Sequence, residues 1–160
     1  MSTAGAIATT SPGTLSRAIQ VILTAGLVCG VLDGLSAVLV SGVGWLRVFQ
    51  FIASGILGPK SFQGGDGTAF LGIGLHFLIA VGAATVYYVA SRGLTFMVHQ
   101  ALLCGVLFGI AVHLFMSFIV VPASAIGPRP FVLRSFLVFM LVHMVVVGPS
   151  IALTIRHYSR

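Results

Sequence analysis

Four long apolar runs alternate with short polar or helix-breaking segments along the chain. They cover roughly residues 18–43, 68–90, 100–121 and 132–155. Gly58-Pro59 and Gly64-Gly65-Asp66-Gly67 precede the second run, Ser91-Arg92-Gly93 follows it, and Pro122, Pro128 and Pro130 separate the third from the fourth. Each run is close to the ~20 residues that carry a helix across a bilayer. Lipid offers no water to the backbone, so each run is expected to close its own hydrogen bonds as a helix. Residues 1–16 are small and polar and predict a disordered lead, leaving 17–157 as one membrane domain. The first run exceeds the ~7–15 apolar residues of a signal peptide, which predicts an uncleaved first helix.

Residues 45–58 break this rhythm. At a helical repeat, Arg47, Gln50, Ser54 and Gly58 share one side, and Trp45, Val48, Phe49, Ile52 and Ile56 the other. Such a pattern in a segment too short to span predicts an amphipathic helix in the head-group plane, with Trp45, Arg47, Gln50 and Ser54 as interfacial residues. A helix packed across the mouth of the bundle fits the same pattern. The expected fold class is therefore all-α: a four-helix transmembrane bundle with a short interfacial amphipathic helix between helices 1 and 2.

Composition agrees. Charged residues are 6% of the 160, against about 25% in soluble domains, and mean hydropathy is +1.16. The net charge of +6 comes from bases scattered at helix ends, without a cluster or an aromatic platform. That favours anionic lipid head groups over nucleic acid as partner. Up-down topology sets Arg17, Arg92, Arg156 and Arg160 on one side and Arg47, Lys60, Arg129 and Arg134 on the other. Loop charge is therefore balanced. Cytoplasmic termini are expected only because Arg17 immediately precedes the first run and bases follow the last.

Helix contact within lipid relies on small residues and polar links. Gly26, Gly30 and Gly34 form a four-residue row in the first run, and Ala101, Gly105 and Gly109 a second that continues to His113 and Ser117. Gly72, His76, Ala80 and Ala84 form a third. The halves also resemble each other. Cys29-Gly30-Val31-Leu32-Asp33-Gly34 parallels Cys104-Gly105-Val106-Leu107-Phe108-Gly109, and His76 with Gly82 parallels His143 with Gly148. Duplication of a helix pair would produce this, and so would chance at such a composition.

Each run holds one ionisable residue well inside: Asp33, His76, His113 and His143. A charge near the bilayer centre costs at least ~2.5–3.5 kcal/mol. At ~1.5 Å per residue the four fall in overlapping layers of a ~30 Å core, so a convergent cluster is expected. Several chemistries fit it. The cluster could pass protons or a small solute. Asp33, His76, His113 and His143 are candidate ligands for a divalent metal. His76 and His143 could hold non-covalent haem, C-x-x-C-H being absent. A plain hydrogen-bond network that holds helices together fits as well, and no bound cofactor is the leading expectation.

Catalytic motifs are missing. No G-x-S-x-G occurs, and Gly58-Pro59-Lys60-Ser61 lacks the first glycine and the strand of a phosphate loop. Two acidic residues cannot build a carboxylate-rich di-iron site. Cys29 and Cys104 lie in apolar runs and read as small buried hydrophobes.

Three stretches, Arg47 through Gly58, Leu75 through Ala80 and Tyr87 through Arg92, continue to the Val121-Pro122-Ala123-Ser124-Ala125 loop. Together they resemble a family of small, uncharacterised four-helix proteins of the bacterial inner membrane. The resemblance covers most of the chain, implies a multi-pass inner-membrane location, and carries no catalytic residues. The expected function is non-enzymatic: a membrane protein whose Asp/His cluster serves a proton or small-solute path. A metal- or haem-binding redox component and a structural accessory subunit are the alternatives. Partners are expected to be the bilayer and a homo-oligomer or larger membrane complex.

Overall fold

The computed structural model of the chain describes residues 12–127 and 129–159. Its elements are α1 (Pro12–Ser41), α2 (Trp45–Leu57), a 3-10 segment Gly58–Gln63 and α3 (Gly65–Gly93). A short turn, Phe96–His99, leads to α4 (Ala101–Ala123) and α5 (Leu133–Tyr158). Among the described residues there is no strand. The helices α1, α3, α4 and α5 are long and apolar enough to cross a membrane, which makes this a multi-pass membrane protein. Their outer surfaces are large apolar side chains such as Leu39, Leu78, Val89 and Leu141.

The lead expected for residues 1–16 falls partly outside the described residues. From Pro12 onward the chain is already helical, a correction with a simple cause. Proline is favoured in the first turn, where its missing N–H has no partner to lose.

α1 packs along α3 and α5, and α5 packs along α4, while α2 lies against the first half of α3. The start of α1 and the ends of α3 and α5 meet at one end of the bundle, where Arg17, Tyr88, Arg92 and Tyr158 line a common cleft. The opposite end gathers α2 and the α4–α5 loop: Ala125 N–H donates to Gly55 O at 2.9 Å, and Arg129 lies over the Phe51 ring. Gly42 and Gly44, with φ of 67° and 80°, make the turn from α1 into α2, where a side chain would be strained.

Close backbone approach sets the packing. A Cβ on Gly26 would lie 2.7 Å from Val81 Cα, and one on Gly30 2.6 Å from the Phe77 ring. Between α4 and α5 the margin vanishes: a Cβ on Gly148 would lie 1.8 Å from Gly105 O, and one on Gly109 2.0 Å from His143 O. The core beside these crossings is small and apolar, with Ala25, Cys29, Ala84, Cys104 and Ala152 around Tyr87, Ile151 and Ile155.

Two polar residues of α2 point inward. Gln50 and Ser54, expected at the interface, are each 2% exposed. Gln50 Nε2 donates to Gly65 O at 3.1 Å, and Ser54 Oγ to Phe51 O at 2.6 Å. Trp45, Arg47 and Ile56 remain exposed. An unpaired polar group is costly in an apolar medium, so Gln50 and Ser54 turn inward, beside the buried Val48 and Ala53.

Candidate functional site

On α4, Ala101, Gly105, Gly109 and His113 recur every fourth residue and are all buried. They form the stripe that meets α5. Because Gly109 lacks a side chain, the backbone of His143 and Met144 lies directly against it. This brings the His143 ring beside that of His113, one turn further along α4. The two ring centroids are 4.9 Å apart, tilted by 60°. Phe136 covers His113 from α5 at 4.8 Å and itself packs on Phe118 and Phe131.

The two rings are held differently. His143 Nδ1 lies 2.8 Å from Phe139 O. A carbonyl only accepts, so Nδ1 carries the proton and, in the neutral ring, Nε2 keeps its lone pair. His113 is 5% exposed, yet its buried Nε2 has no hydrogen-bond partner among the described residues. Such an orphan is uncommon inside a protein and points to a strained or working group.

Both helices widen at this level. A π-helical segment Met116–Val120 begins three residues after His113, and another, His143–Val147, begins on His143 itself. Each is followed at once by a short stretch with proline: Pro122 after the first, Pro149 after the second. A helical proline offers no N–H to the carbonyl four residues earlier and collides with it. Those carbonyls belong to Phe118 and Val145, inside the widened turns. Such π-bulges often accompany functional sites. They were missed in the sequence reading, although Pro149 within the fourth apolar run is the signal that marks one.

His76 stands elsewhere. It is 8% exposed on α3, and its Nε2 donates to Gly30 O of α1 at 2.9 Å. The rings of Phe49 and Phe77 contact it edge-on. Asp33 is half-buried on α1. Of the four expected residues, His113 and His143 form a pair and His76 makes a separate link to Gly30. Among the described residues no three His, Cys, Asp or Glu gather as a possible metal set. The His76 Nε2 needed for axial haem ligation is already bonded to Gly30.

Two clefts lie at opposite ends of the bundle. One, of about 320 Å³, includes Arg17 and Arg92 in its lining. The other, of about 210 Å³, includes Phe51 and Arg129. Neither is lined by Asp33, His113 or His143. Comparison of the chain with protein-family models, curated proteins and solved structures finds no match.

Proposed function

We propose that this is a non-enzymatic bacterial inner-membrane protein whose His113–His143 pair takes up and releases a proton within the bundle. The observation that carries the reading is the orphaned, buried His113 Nε2 beside a second imidazole. One added proton would give the pair a donor and an acceptor to share. Two would set like charges 4.9 Å apart in a medium that screens them poorly. The widened turns on both helices supply somewhere for a small shift to go. The cytoplasmic placement of both termini belongs to the same proposal.

The test is a histidine-labelled NMR titration of the full chain in lipid nanodiscs. His113 and His143 should titrate as a coupled pair, so that His143→Phe changes the His113 curve while His76 is unaffected. Two rings that stay silent over the range where the bundle is folded would sink the reading.

A second reading, a structural accessory subunit, has its own support. The outer side of α3 carries Gly67, Gly74 and Gly82, with nothing within 4 Å of where a Cβ would stand. A partner helix could approach closely there. Cysteines at 74 and 82 should then cross-link to a neighbouring chain in native membranes, and failure to do so counts against it.

A further inference from the structure

At the end shared by the start of α1 and the ends of α3 and α5, three elements enclose a cleft of about 320 Å³ lined by Arg17, Val21, Tyr88, Arg92, Tyr158 and Ser159 among others. Arg17 Nη2 donates to Tyr158 O at 3.3 Å, which leans its guanidinium across the gap between α1 and α5. The Arg92 guanidinium lies over the Tyr88 ring, 5.4 Å from its centroid. Stacking uses the flat face of the guanidinium and leaves its N–H edge able to donate in the ring plane. Arg156 adds a further positive charge on the last turns of α5. No side-chain carboxylate stands at this end. Asp66 opens α3 at the other end, and Asp33 lies several turns into α1.

Tyr88 and Tyr158, which line the cleft, occur in the last two turns or so of the helices that reach this end. Tyrosine favours the head-group layer because one end of the ring is apolar and the other is wet. The cleft therefore combines two guanidiniums, two tyrosines and the apolar Val21, a mix that suits the zone where a lipid changes from phosphate to acyl chain.

We propose that this cleft binds a phosphate oxyanion carried by the head group of an anionic membrane lipid. Two guanidiniums from different helices grip the oxyanion oxygens through charge-assisted hydrogen bonds. The acyl chains descend along the exposed apolar side of α1. The bound lipid ties α1, α3 and α5 together at their ends.

The experiment uses the full chain in nanodiscs made of phosphatidylcholine mixed with phosphatidylglycerol, released into native mass spectrometry to count retained lipids. The wild type should retain phosphatidylglycerol over phosphatidylcholine by on the order of tenfold or more, the scale set by two bases at a membrane surface. Arg17→Gln/Arg92→Gln should abolish the preference. Lys60→Gln/Arg134→Gln removes the same charge at the opposite end and should leave it intact. If the first double variant does not fold, the single Arg92→Gln change at an exposed position should still reduce retention several-fold. Equal retention by both double variants overturns the site. Displacement of the lipid by excess inorganic phosphate at constant ionic strength, with no effect of chloride, would identify a soluble phosphate as ligand and overturn the lipid assignment.

Discussion

In the hairpin α1/α3, Gly30 and Gly34 of the first helix face Phe77 and His76 of the second; in α4/α5, Gly105 and Gly109 face Gly148 and His143. The two hairpins share a sequence theme and differ in how each histidine is used. His76 reaches across to a carbonyl of the neighbouring helix. His143 bonds to a carbonyl of its own helix and leaves a second imidazole beside it with a buried, unpaired nitrogen. The first arrangement links helices. The second holds a polar group that an apolar medium penalises, and it survives because close glycine packing fixes the surrounding backbone. The comparison separates a structural histidine from a candidate working one by the fate of its nitrogen atoms, with burial nearly the same in both.

The sharpest way to break that contrast is to deny α4 and α5 their close approach. Gly148→Ala places a methyl group against the Gly105 carbonyl, which is backbone and cannot swing aside. A loss of about 3 kcal/mol is expected, at the upper end of ordinary overpacking. At Gly30 the obstacle is the Phe77 ring, a side chain that can rotate, and Gly30→Ala should cost about 1 kcal/mol. Reversible unfolding in mixed micelles measures both. Equal losses would mean that the hairpins are not held differently.

His113→Phe should act in the opposite direction. It removes an orphaned polar atom and keeps a planar ring against Phe136. Stability should rise by about 1 kcal/mol, the lower end of the cost of an unpaired buried group. A clear loss of stability would show that the His113 Nε2 has a partner in the membrane and would remove the basis for a proton-handling pair.

His76→Phe should cost less than the glycine change but carry the opposite sign to His113→Phe. The lost link to Gly30 O is worth ~0.6 kcal/mol on average for interhelical bonds in lipid, with ~1.7 as an upper end. Unchanged stability would mean that the two histidines differ in geometry alone.

The sequence made some of this legible. Apolar runs bounded by glycine and proline placed the four long helices within a few residues, because spanning length and breakers both act along the chain. Periodicity grouped Gln50 with Ser54 on one side of α2, but it names a face without saying where that face points. Packing against α3 decided that, and turned it inward. The same limit governed the expected cluster. Counting residues from a helix end gives the depth of Asp33, His76, His113 and His143, while their meeting depends on rotation about each axis and on which helices are neighbours. α3 bonds its histidine to α1 and α4 sets its histidine against α5, so two sites stand where depth alone suggested one. The widened turns were hidden for another reason: they follow from Pro122 and Pro149 only once helical continuity through those prolines is known.

A small change in stability is expected at the second of these prolines. Pro149→Ala restores an N–H that can bond to Val145 O, and it removes the ring that collides with that carbonyl. The turn His143–Val147 should then tighten towards an ordinary α-helix. Close contact of Gly148 with Gly105 limits how far the backbone can move, so the net effect should stay below about 1 kcal/mol. The effect on geometry should be larger. Tightening a π turn rotates everything on one side of it, and His143 sits at its first residue, so the ring should turn away from His113. Amide exchange at residues 145–149 should slow as the new bond forms, and the His143 ring resonances should move while those of His76 do not. If exchange is unchanged and the His143 resonances stay in place, the widened turn is held by packing against α4, and the proline merely occupies a turn that would exist without it.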